Sequence, residues 1–156
     1  MTNLTRIDIL IQTGSHSDAG TDGRIYLGLG GREFRCDSSA DDFERGASRT
    51  YIFGDGANVS KRESNDPRNP QLIAEDLIGY PMYLRFEQGS ASHWLLQRAM
   101  LHLNGSSFQN FETRLGSAGL WLGFDSGAYC HLHRHDDGVI NASTGGGAGT
   151  AGVDPG

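Results

Sequence analysis

Apolar residues at every second position are the feature that most restricts the fold of this chain. Ile7, Ile9 and Ile11 form the first such run, and residues 25–29 repeat it. A period of two is typical of a β-strand with one buried face. Further apolar runs bounded by Gly, Asn and Asp turns lie at residues 34–36, 51–53, 82–86, 94–103, 108–111, 120–122 and 128–132. The sequence therefore predicts an all-β fold, an antiparallel β-sandwich of about eight strands.

The strand pattern and the composition divide the chain into one domain and a tail. The chain has 156 residues, which is long enough to bury a single core. Residues 136–156 are rich in Gly, Ala, Ser and Thr, a composition typical of flexible segments. We therefore expect a β-sandwich over residues 1–135 and a Gly-rich flexible tail over residues 136–156. Inside the domain, the polar residues 54–70 predict a long surface loop, and residues 73–78 predict one helical turn.

Charge and hydropathy exclude several classes of function. The formal net charge is −6, so the chain lacks the electrostatic footprint of a nucleic-acid-binding protein. No stretch of eighteen apolar residues exists, so the sequence does not predict a transmembrane protein. The first residues lack the basic and apolar regions of a signal peptide. We therefore expect a protein that is cytoplasmic or exported by a leaderless route, and the sequence does not indicate its oligomeric state.

Two acidic turns next to predicted strands are candidates for binding a cation. In the first turn Asp18 and Asp22 stand four residues apart, and Gly20 between them lets the backbone turn. The second turn contains Asp41 and Asp42. Calcium prefers six to eight oxygen ligands from carboxylates and backbone carbonyls, which two converging acidic turns can supply. The alternative is that these Asp and Gly residues are ordinary solvated turn formers.

The same segments resemble the PLAT domain family, a β-sandwich also called the lipoxygenase-homology domain. The similarity rests on Ala19-Gly20-Thr21-Asp22 followed by Phe43-Glu44-Arg45-Gly46, and it continues through His93-Trp94-Leu95 and Leu120-Trp121-Leu122. Asp41-Asp42-Phe43 is most similar to the version of the family in the C-terminal domain of clostridial alpha-toxin. The resemblance implies a non-catalytic recognition module that binds a protein partner or a membrane surface, in some members through calcium.

Carried over residue by residue, the resemblance implies two groups of calcium ligands. The first consists of Asp18, the Gly20 carbonyl, and Glu87 or Gln88 from a third loop. The second consists of Thr21, Asp22, Asp41 and Asp42.

The chain also departs from the family pattern. Arg49 stands where the family usually has Asp, and Glu87-Gln88 replaces a common Asp-Asn. Members that bind membranes expose aromatic residues on these loops, whereas the three loops identified here contain none at their tips. The missing aromatic residues and the negative net charge favour a protein partner, or a calcium-bridged lipid headgroup without deep insertion.

Alternating histidines near the end of the domain suggest a different class of function. His131, His133 and His135 would project from one face of a single strand, where imidazoles can bind zinc or nickel. A small metal-dependent enzyme using this strand is therefore an alternative hypothesis. A structural or cargo protein with no bound ion is another. No Gly-x-Ser-x-Gly or Walker-type motif is present.

The remaining predictions concern the core. Trp94 and Trp121 lie in apolar runs and are predicted to fill it. Phe43 is predicted to plug the edge of the sandwich beside a tight turn at Gly46. Cys36 and Cys130 are the only cysteines, and we expect two reduced, partly buried thiols rather than a disulfide.

Overall fold

The computed structural model describes residues 1–106 and 110–134 as two antiparallel sheets packed face to face. The strands are β1 (Arg6–Thr13), β2 (Arg24–Leu29), β3 (Arg32–Arg35), β4 (Ser48–Gly54), β5 (Tyr83–Glu87), β6 (Trp94–Leu103), β7 (Asn110–Glu112), β8 (Leu120–Leu122), β9 (Tyr129–His131) and β10 (His133–Arg134). Short 3-10 helices cover Arg62–Ser64, Ala74–Gly79 and Asn104–Ser106. The predicted all-β sandwich and the helical turn near residue 75 are therefore confirmed.

The larger sheet has the strand order β10-β7-β6-β1-β4, and β8 pairs with the beginning of β6. The smaller sheet has the order β3-β2-β5-β9. The β2–β3 hairpin turns at Gly30 and Gly31, whose φ angles of 62° and 76° suit a two-residue turn that needs positive φ at both positions. Within the described residues, none of the helices has the length and hydropathy needed to cross a lipid bilayer.

The alternation read from the sequence places one face of each sheet in the core. In β1 the residues Ile7, Ile9 and Ile11 are buried while their neighbours are half-buried. Trp94, Tyr51, Phe34 and Phe53 are the largest side chains that are fully buried. Trp94 also donates a buried hydrogen bond of 2.9 Å from Nε1 to Thr13 Oγ1, so its one polar atom is satisfied.

Four connections meet at one end of the sandwich, and we call this the loop end. They are residues 14–23, 36–47, 88–93 and 123–128, which follow or precede β1, β3, β5 and β8. The far end carries the Gly30–Gly31 turn and the long segment 55–82. Because antiparallel strands alternate in direction, every second connection returns to the same end, and this places the predicted acidic loops together.

Candidate functional site

A buried threonine ties three of the connections at the loop end together. The Thr21 hydroxyl donates to the Ser92 carbonyl at 3.0 Å and accepts from the Gly23 amide at 3.0 Å. The Thr21 amide donates to the Phe43 carbonyl at 3.1 Å. These bonds join residues 14–23 to the connections 36–47 and 88–93. The hydroxyl of Thr21 therefore stabilises the arrangement of these loops through its hydrogen bonds.

Phe43 fixes the second loop against the core, as the sequence predicted. It is buried, its ring lies 5.5 Å from those of Tyr51 and Trp94, and its backbone has a φ of 63°. Gly46 follows with a φ of 73°, a conformation that glycine adopts without a Cβ penalty, and its amide donates to the Gly14 carbonyl at 2.9 Å. The second loop is thus held at two points that closely follow the acidic residues Asp41 and Asp42.

The loop end contains two cavities that share one wall. The larger has a volume of about 770 Å³, and its charged and aromatic lining includes Asp18, Asp22, Glu44, Arg45, Trp121 and Asp125. The smaller has a volume of about 170 Å³ and is lined by Arg24, Arg35, Asp37 and Asp41, among others. Thr21 and Asp22 line both cavities. Asp18 and Asp41 therefore lie at the same end of the molecule but on different cavities.

Asp42 differs from its neighbour Asp41 because its carboxylate is already used inside the protein. Oδ1 accepts from the Ser38 hydroxyl at 2.8 Å and from the Tyr51 hydroxyl at 2.9 Å, while Oδ2 accepts from the Ser38 amide at 2.8 Å. Arg49 approaches the same carboxylate at 3.8 Å. Burial raises the pKa of Tyr51, and the hydrogen bond to Asp42 raises it further, so this phenol stays protonated.

Three other acidic side chains are free to bind a ligand. In the part of the chain that the structure describes, the carboxylates of Asp18, Asp22 and Asp41 have no hydrogen-bond or ion-pair partner. All three residues are exposed. Their oxygens, with nearby backbone carbonyls, are the donor type that calcium prefers.

The third loop is arranged differently from the prediction. Glu87 accepts a hydrogen bond of 3.1 Å from the Tyr26 hydroxyl, on the outer face of the smaller sheet. Gln88 closes its own loop by donating to the Ala91 carbonyl at 2.9 Å and accepting from the Phe124 amide at 2.8 Å. Neither residue is among those that line the two cavities. Gly20 lines the larger cavity, and its carbonyl accepts from the Ser92 hydroxyl at 3.2 Å.

Among the described residues, the acidic side chains at the loop end do not form a closed metal site. Across residues 1–106 and 110–134, no group of three or more His, Cys, Asp or Glu side chains is close enough to form a metal site. The oxygen donors therefore suit calcium, but their side chains are not closed around one point. A calcium ion here would need backbone carbonyls and water to complete its shell.

The fourth connection of the loop end supplies residues that the sequence analysis missed. Phe124 is 78% exposed, whereas the other three loops contain no exposed Phe, Tyr or Trp, because Phe43 in the second loop is buried. Trp121, predicted to be in the core, is instead half-buried at the wall of the larger cavity, with its ring 5.4 Å from that of His16. Asp125 lies beside it, 3.9 Å from His93. The signal that could have located this loop is Gly123-Phe124-Asp125-Ser126-Gly127, a turn with an apolar residue between glycines.

The predicted histidine strand is not one strand. His131 is the last residue of β9 in the smaller sheet, whereas His133 begins β10 in the larger sheet, and Leu132 between them is buried. The chain crosses from one sheet to the other here, so the two imidazoles do not share a strand face. Burial lowers the pKa of His133, with Arg114 and His131 adding to the effect. His135 lies outside the described residues.

Comparison with known proteins identifies the fold. No protein-family model and no curated protein sequence matches the chain. Among solved structures, alpha-toxin from Clostridium absonum matches over 85% of this chain with a TM-score of 0.57 and 20% identity. Clostridium perfringens alpha-toxin from an avian strain gives the same coverage and TM-score with 22% identity. A LOX variant in complex with arachidonate matches over 84% of the chain with a TM-score of 0.56 and 14% identity.

The matching domain of lipoxygenase is its PLAT domain. The chain has a PLAT-like fold. It spans 32% of each toxin chain and 16% of the LOX chain, and the matched parts are the non-catalytic domains of these larger proteins. At these identities the likeness establishes the PLAT-like sandwich, and the function must be argued from the residues at its loop end.

Proposed function

We propose that the loop end of this PLAT-like sandwich is a recognition surface that binds calcium and docks on a phospholipid membrane. The observation that carries the proposal is that three unpartnered carboxylates, Asp18, Asp22 and Asp41, line two adjoining cavities at the end where Phe124 is exposed. Neither feature alone defines a function, because acidic turns and single exposed apolar residues are both common. Their position on one end gives the surface an ion-binding part and an apolar part.

The carboxylates support the calcium half of this proposal. Asp22 lines both cavities, with Asp18 on one side and Asp41 on the other, so it can complete a shell in either. Asp37 also lines the smaller cavity and was not among the predicted ligands. A bound calcium ion supplies positive charge that can attract a phosphate group of a lipid headgroup. Asp42 contributes by holding the second loop in place, because its own oxygens are engaged.

Phe124 supports the membrane half. Its ring projects from the turn after β8, and the Phe124 amide is held by the Gln88 side chain, so the position of this turn is coupled to the third loop. Complete burial of a phenylalanine side chain is worth about 1.5–3 kcal/mol. This would strengthen an electrostatic contact by roughly ten- to a hundredfold. The acidic composition and the lack of aromatic residues at the loop tips had favoured a protein partner, or a calcium-bridged headgroup without deep insertion. The exposed Phe124 supplies an aromatic residue on the fourth connection and so favours the membrane.

Vesicle sedimentation tests the proposal. We expect the protein to pellet with vesicles of phosphatidylcholine and phosphatidylglycerol in millimolar calcium and to stay in solution with chelator. Phe124→Ala should weaken binding by roughly tenfold, because about 1.4 kcal/mol of burial corresponds to that factor. The combined change Asp22→Asn and Asp41→Asn should abolish the calcium dependence.

Two matched variants control this experiment. Ile78→Ala removes a side chain that is 74% exposed at the far end, and Asp76→Asn removes an exposed carboxylate from the same 3-10 helix. Both should bind vesicles as the wild type does. Equal losses in Phe124→Ala and Ile78→Ala would contradict docking through the loop end. Calcium binding without any vesicle binding would point to a protein partner instead.

A further inference from the structure

Two arginines on the smaller sheet stand beside the acidic loop without using their charge. Arg24 begins β2 and Arg35 ends β3, and both line the smaller cavity with Asp22, Asp37 and Asp41. Within the described residues, neither guanidinium group has a hydrogen bond, an ion pair or a ring contact. This is unusual for a guanidinium group with carboxylates nearby, because the fork geometry of arginine suits carboxylates well.

The register of the sheet explains why both arginines face the same region. Tyr26 pairs with Arg35 and Arg24 pairs with Glu87, so these side chains project from the outer face of the smaller sheet. The Cys36 amide donates to the Ile25 carbonyl at 2.9 Å, so the ladder continues one step beyond β3. Arg24 and Arg35 therefore occupy diagonal positions on adjacent strands, where long side chains come within reach of one shared ligand.

Arg85 on the next strand shows what an engaged arginine looks like here. Its guanidinium group makes two hydrogen bonds to Glu33, at 2.9 and 2.8 Å, and lies 4.3 Å from the centre of the Tyr26 ring. The Arg85 guanidinium group thus interacts with a carboxylate and an aromatic ring of the protein itself. Arg24 and Arg35 have no such contacts, so their donors remain available on the side that faces the cavity.

The charge around the smaller cavity indicates what the arginines would bind. Asp22, Asp37, Asp41 and Asp42 face Arg24 and Arg35, so the cavity has a net charge of −2 and repels an anion. One calcium ion on the free carboxylates would bring the net charge to zero and leave two guanidinium groups beside a divalent cation. Guanidinium groups bind phosphate with paired hydrogen bonds, and a doubly charged phosphate suits two guanidinium groups and one metal ion.

We propose that Arg24 and Arg35 form a phosphate subsite that selects ligands bearing a phosphomonoester group. The inference rests on the proposed calcium-dependent docking and specifies the ligand class for that surface. The two guanidinium groups would donate hydrogen bonds to the phosphate, and a calcium ion held by the free carboxylates would supply further positive charge beside it. A phosphodiester with a single charge satisfies fewer of these donors, so the subsite distinguishes phosphomonoester lipids from other anionic lipids.

Vesicles that differ only in the type of phosphate test the subsite. Phosphatidylcholine vesicles would contain either phosphatidic acid, a phosphomonoester, or phosphatidylglycerol, a phosphodiester, at mole fractions adjusted to equal surface charge. In calcium, we expect the wild type to bind the phosphatidic acid vesicles about tenfold more tightly, as an added charge-assisted hydrogen bond predicts. Arg24→Gln with Arg35→Gln should bind both vesicles equally, with an unchanged melting temperature. Arg62→Gln, an exposed arginine in segment 55–82, should keep the wild-type preference.

Soluble glycerol 3-phosphate separates the two sources of a phosphomonoester. Displacement of the wild type from phosphatidic acid vesicles, with no effect on the double arginine variant, would assign the subsite to free phosphomonoesters as well as lipids. No displacement, with the preference for phosphatidic acid still dependent on the arginines, would assign it to lipid-embedded phosphate alone. A preference that survives in the double arginine variant, or equal binding of both vesicles by the wild type, would overturn the subsite.

The two proposals fail in different ways. If calcium-dependent binding to phosphatidylglycerol vesicles persists and only the preference for phosphatidic acid is missing, the subsite is wrong and the docking surface stands. If calcium changes neither the melting temperature nor the binding to any vesicle, the docking surface is wrong and the subsite is wrong with it.

Discussion

At the level of single residues, the adjacent aspartates Asp41 and Asp42 at the loop end differ in whether their carboxylates are hydrogen-bonded within the protein. Asp41 is exposed, and its carboxylate has no partner among the described residues, whereas the side chain of Asp42 is 8% exposed and accepts three hydrogen bonds. The sequence presents the pair as equivalent, and the resemblance assigns both to the same group of ligands. The buried Tyr51 hydroxyl makes the difference, because it needs an acceptor and Asp42 is within reach.

Substitution of each aspartate should therefore have a different consequence. We expect Asp42→Ala to lower the free energy of unfolding by about 1–3 kcal/mol with calcium or with chelator, because it leaves the buried Tyr51 hydroxyl unpaired. Asp41→Ala should leave stability in chelator unchanged and reduce the gain from calcium. In the wild type this gain is about 2.7 kcal/mol at a hundredfold excess over the dissociation constant. Denaturant titrations under both conditions measure these quantities.

A double-mutant cycle provides the control for that experiment. Tyr51→Phe removes the hydroxyl that needs Asp42, so Asp42→Ala should cost less in this background than in the wild type. Equal costs in both backgrounds would show that Asp42 does not act through Tyr51. An Asp42→Ala variant that keeps its stability in chelator and loses only the calcium effect would make Asp42 a ligand.

At the scale of elements, side chains on the outer face join β3 to β5 across β2. Glu33 on β3 accepts hydrogen bonds from Arg85 and from the Tyr83 hydroxyl on β5. Gly28 on β2 lies beneath this bridge, and a Cβ there would lie only 2.1 Å from the Tyr83 ring. A larger residue at this position would therefore displace the Tyr83 ring and disturb its hydrogen bond to Glu33.

The bridge between β3 and β5 should give stability a specific dependence on pH. The hydrogen bond from Arg85 lowers the pKa of Glu33 below its usual value of 4.5, and Tyr83 adds to this effect. A carboxylate with a lowered pKa stabilises the folded state above its unfolded pKa and loses that contribution as the pH falls through its folded pKa. We expect Glu33→Gln to cost about 0.5–1 kcal/mol at pH 7, the range of a partly exposed ion pair.

Denaturant titrations at a series of pH values measure this cost. The difference between wild type and Glu33→Gln should shrink below pH 4.5 and disappear when Glu33 becomes protonated in the folded protein. Glu63→Gln changes an exposed glutamate in segment 55–82 and should show no such dependence. A cost of Glu33→Gln that stays constant from pH 7 into the acid range would contradict a role for the charge.

At the scale of the whole molecule, local patterns predicted the sandwich, and contacts between distant segments determined the rest. Ile7, Ile9 and Ile11 alternate because one face of β1 is buried, so periodicity alone located this strand and most of the others. The separation of His131 from His133 could not be read locally, because alternation looks the same whether a chain continues in one sheet or crosses to another.

The sequence likewise predicted part of the candidate site: it located the acidic turns, but it did not predict the role of Asp42 or the exposure of Phe124. The turns at Asp18 and Asp41 were found from their composition, and the antiparallel topology brought them to one end. The Asp42 carboxylate accepts a hydrogen bond from the Tyr51 hydroxyl, nine residues away in the sequence. The exposure of Phe124 depends on where β8 ends. Both features arise from packing between segments that are distant in the sequence, so the local sequence does not predict them.

The two cysteines report on the cooperativity of the smaller sheet, because they lie at its two edges. Both are free thiols, as predicted; Cys36 is 2% exposed and Cys130 is 6% exposed. Cys36 extends β3 and Cys130 lies in β9, at opposite edges of the smaller sheet. Three strand spacings of roughly 4.8 Å separate them by about 14 Å, beyond the reach of a disulfide. Burial raises the pKa of both thiols, so in the folded protein they are poor nucleophiles.

Thiol labelling should therefore follow unfolding of the entire domain and respond to calcium at both cysteines. We expect saturating calcium, at a hundredfold excess over the dissociation constant, to slow labelling of Cys36 and Cys130 equally, by about a hundredfold. Mass spectrometry of labelled peptides measures each site separately. Cys36 lines the smaller cavity and Cys130 does not, so a slowing confined to Cys36 would mean that calcium only closes a local opening. Equal slowing would mean that the ion stabilises the smaller sheet as one unit, because the edge strand β9 is protected by an event at the opposite edge of that sheet.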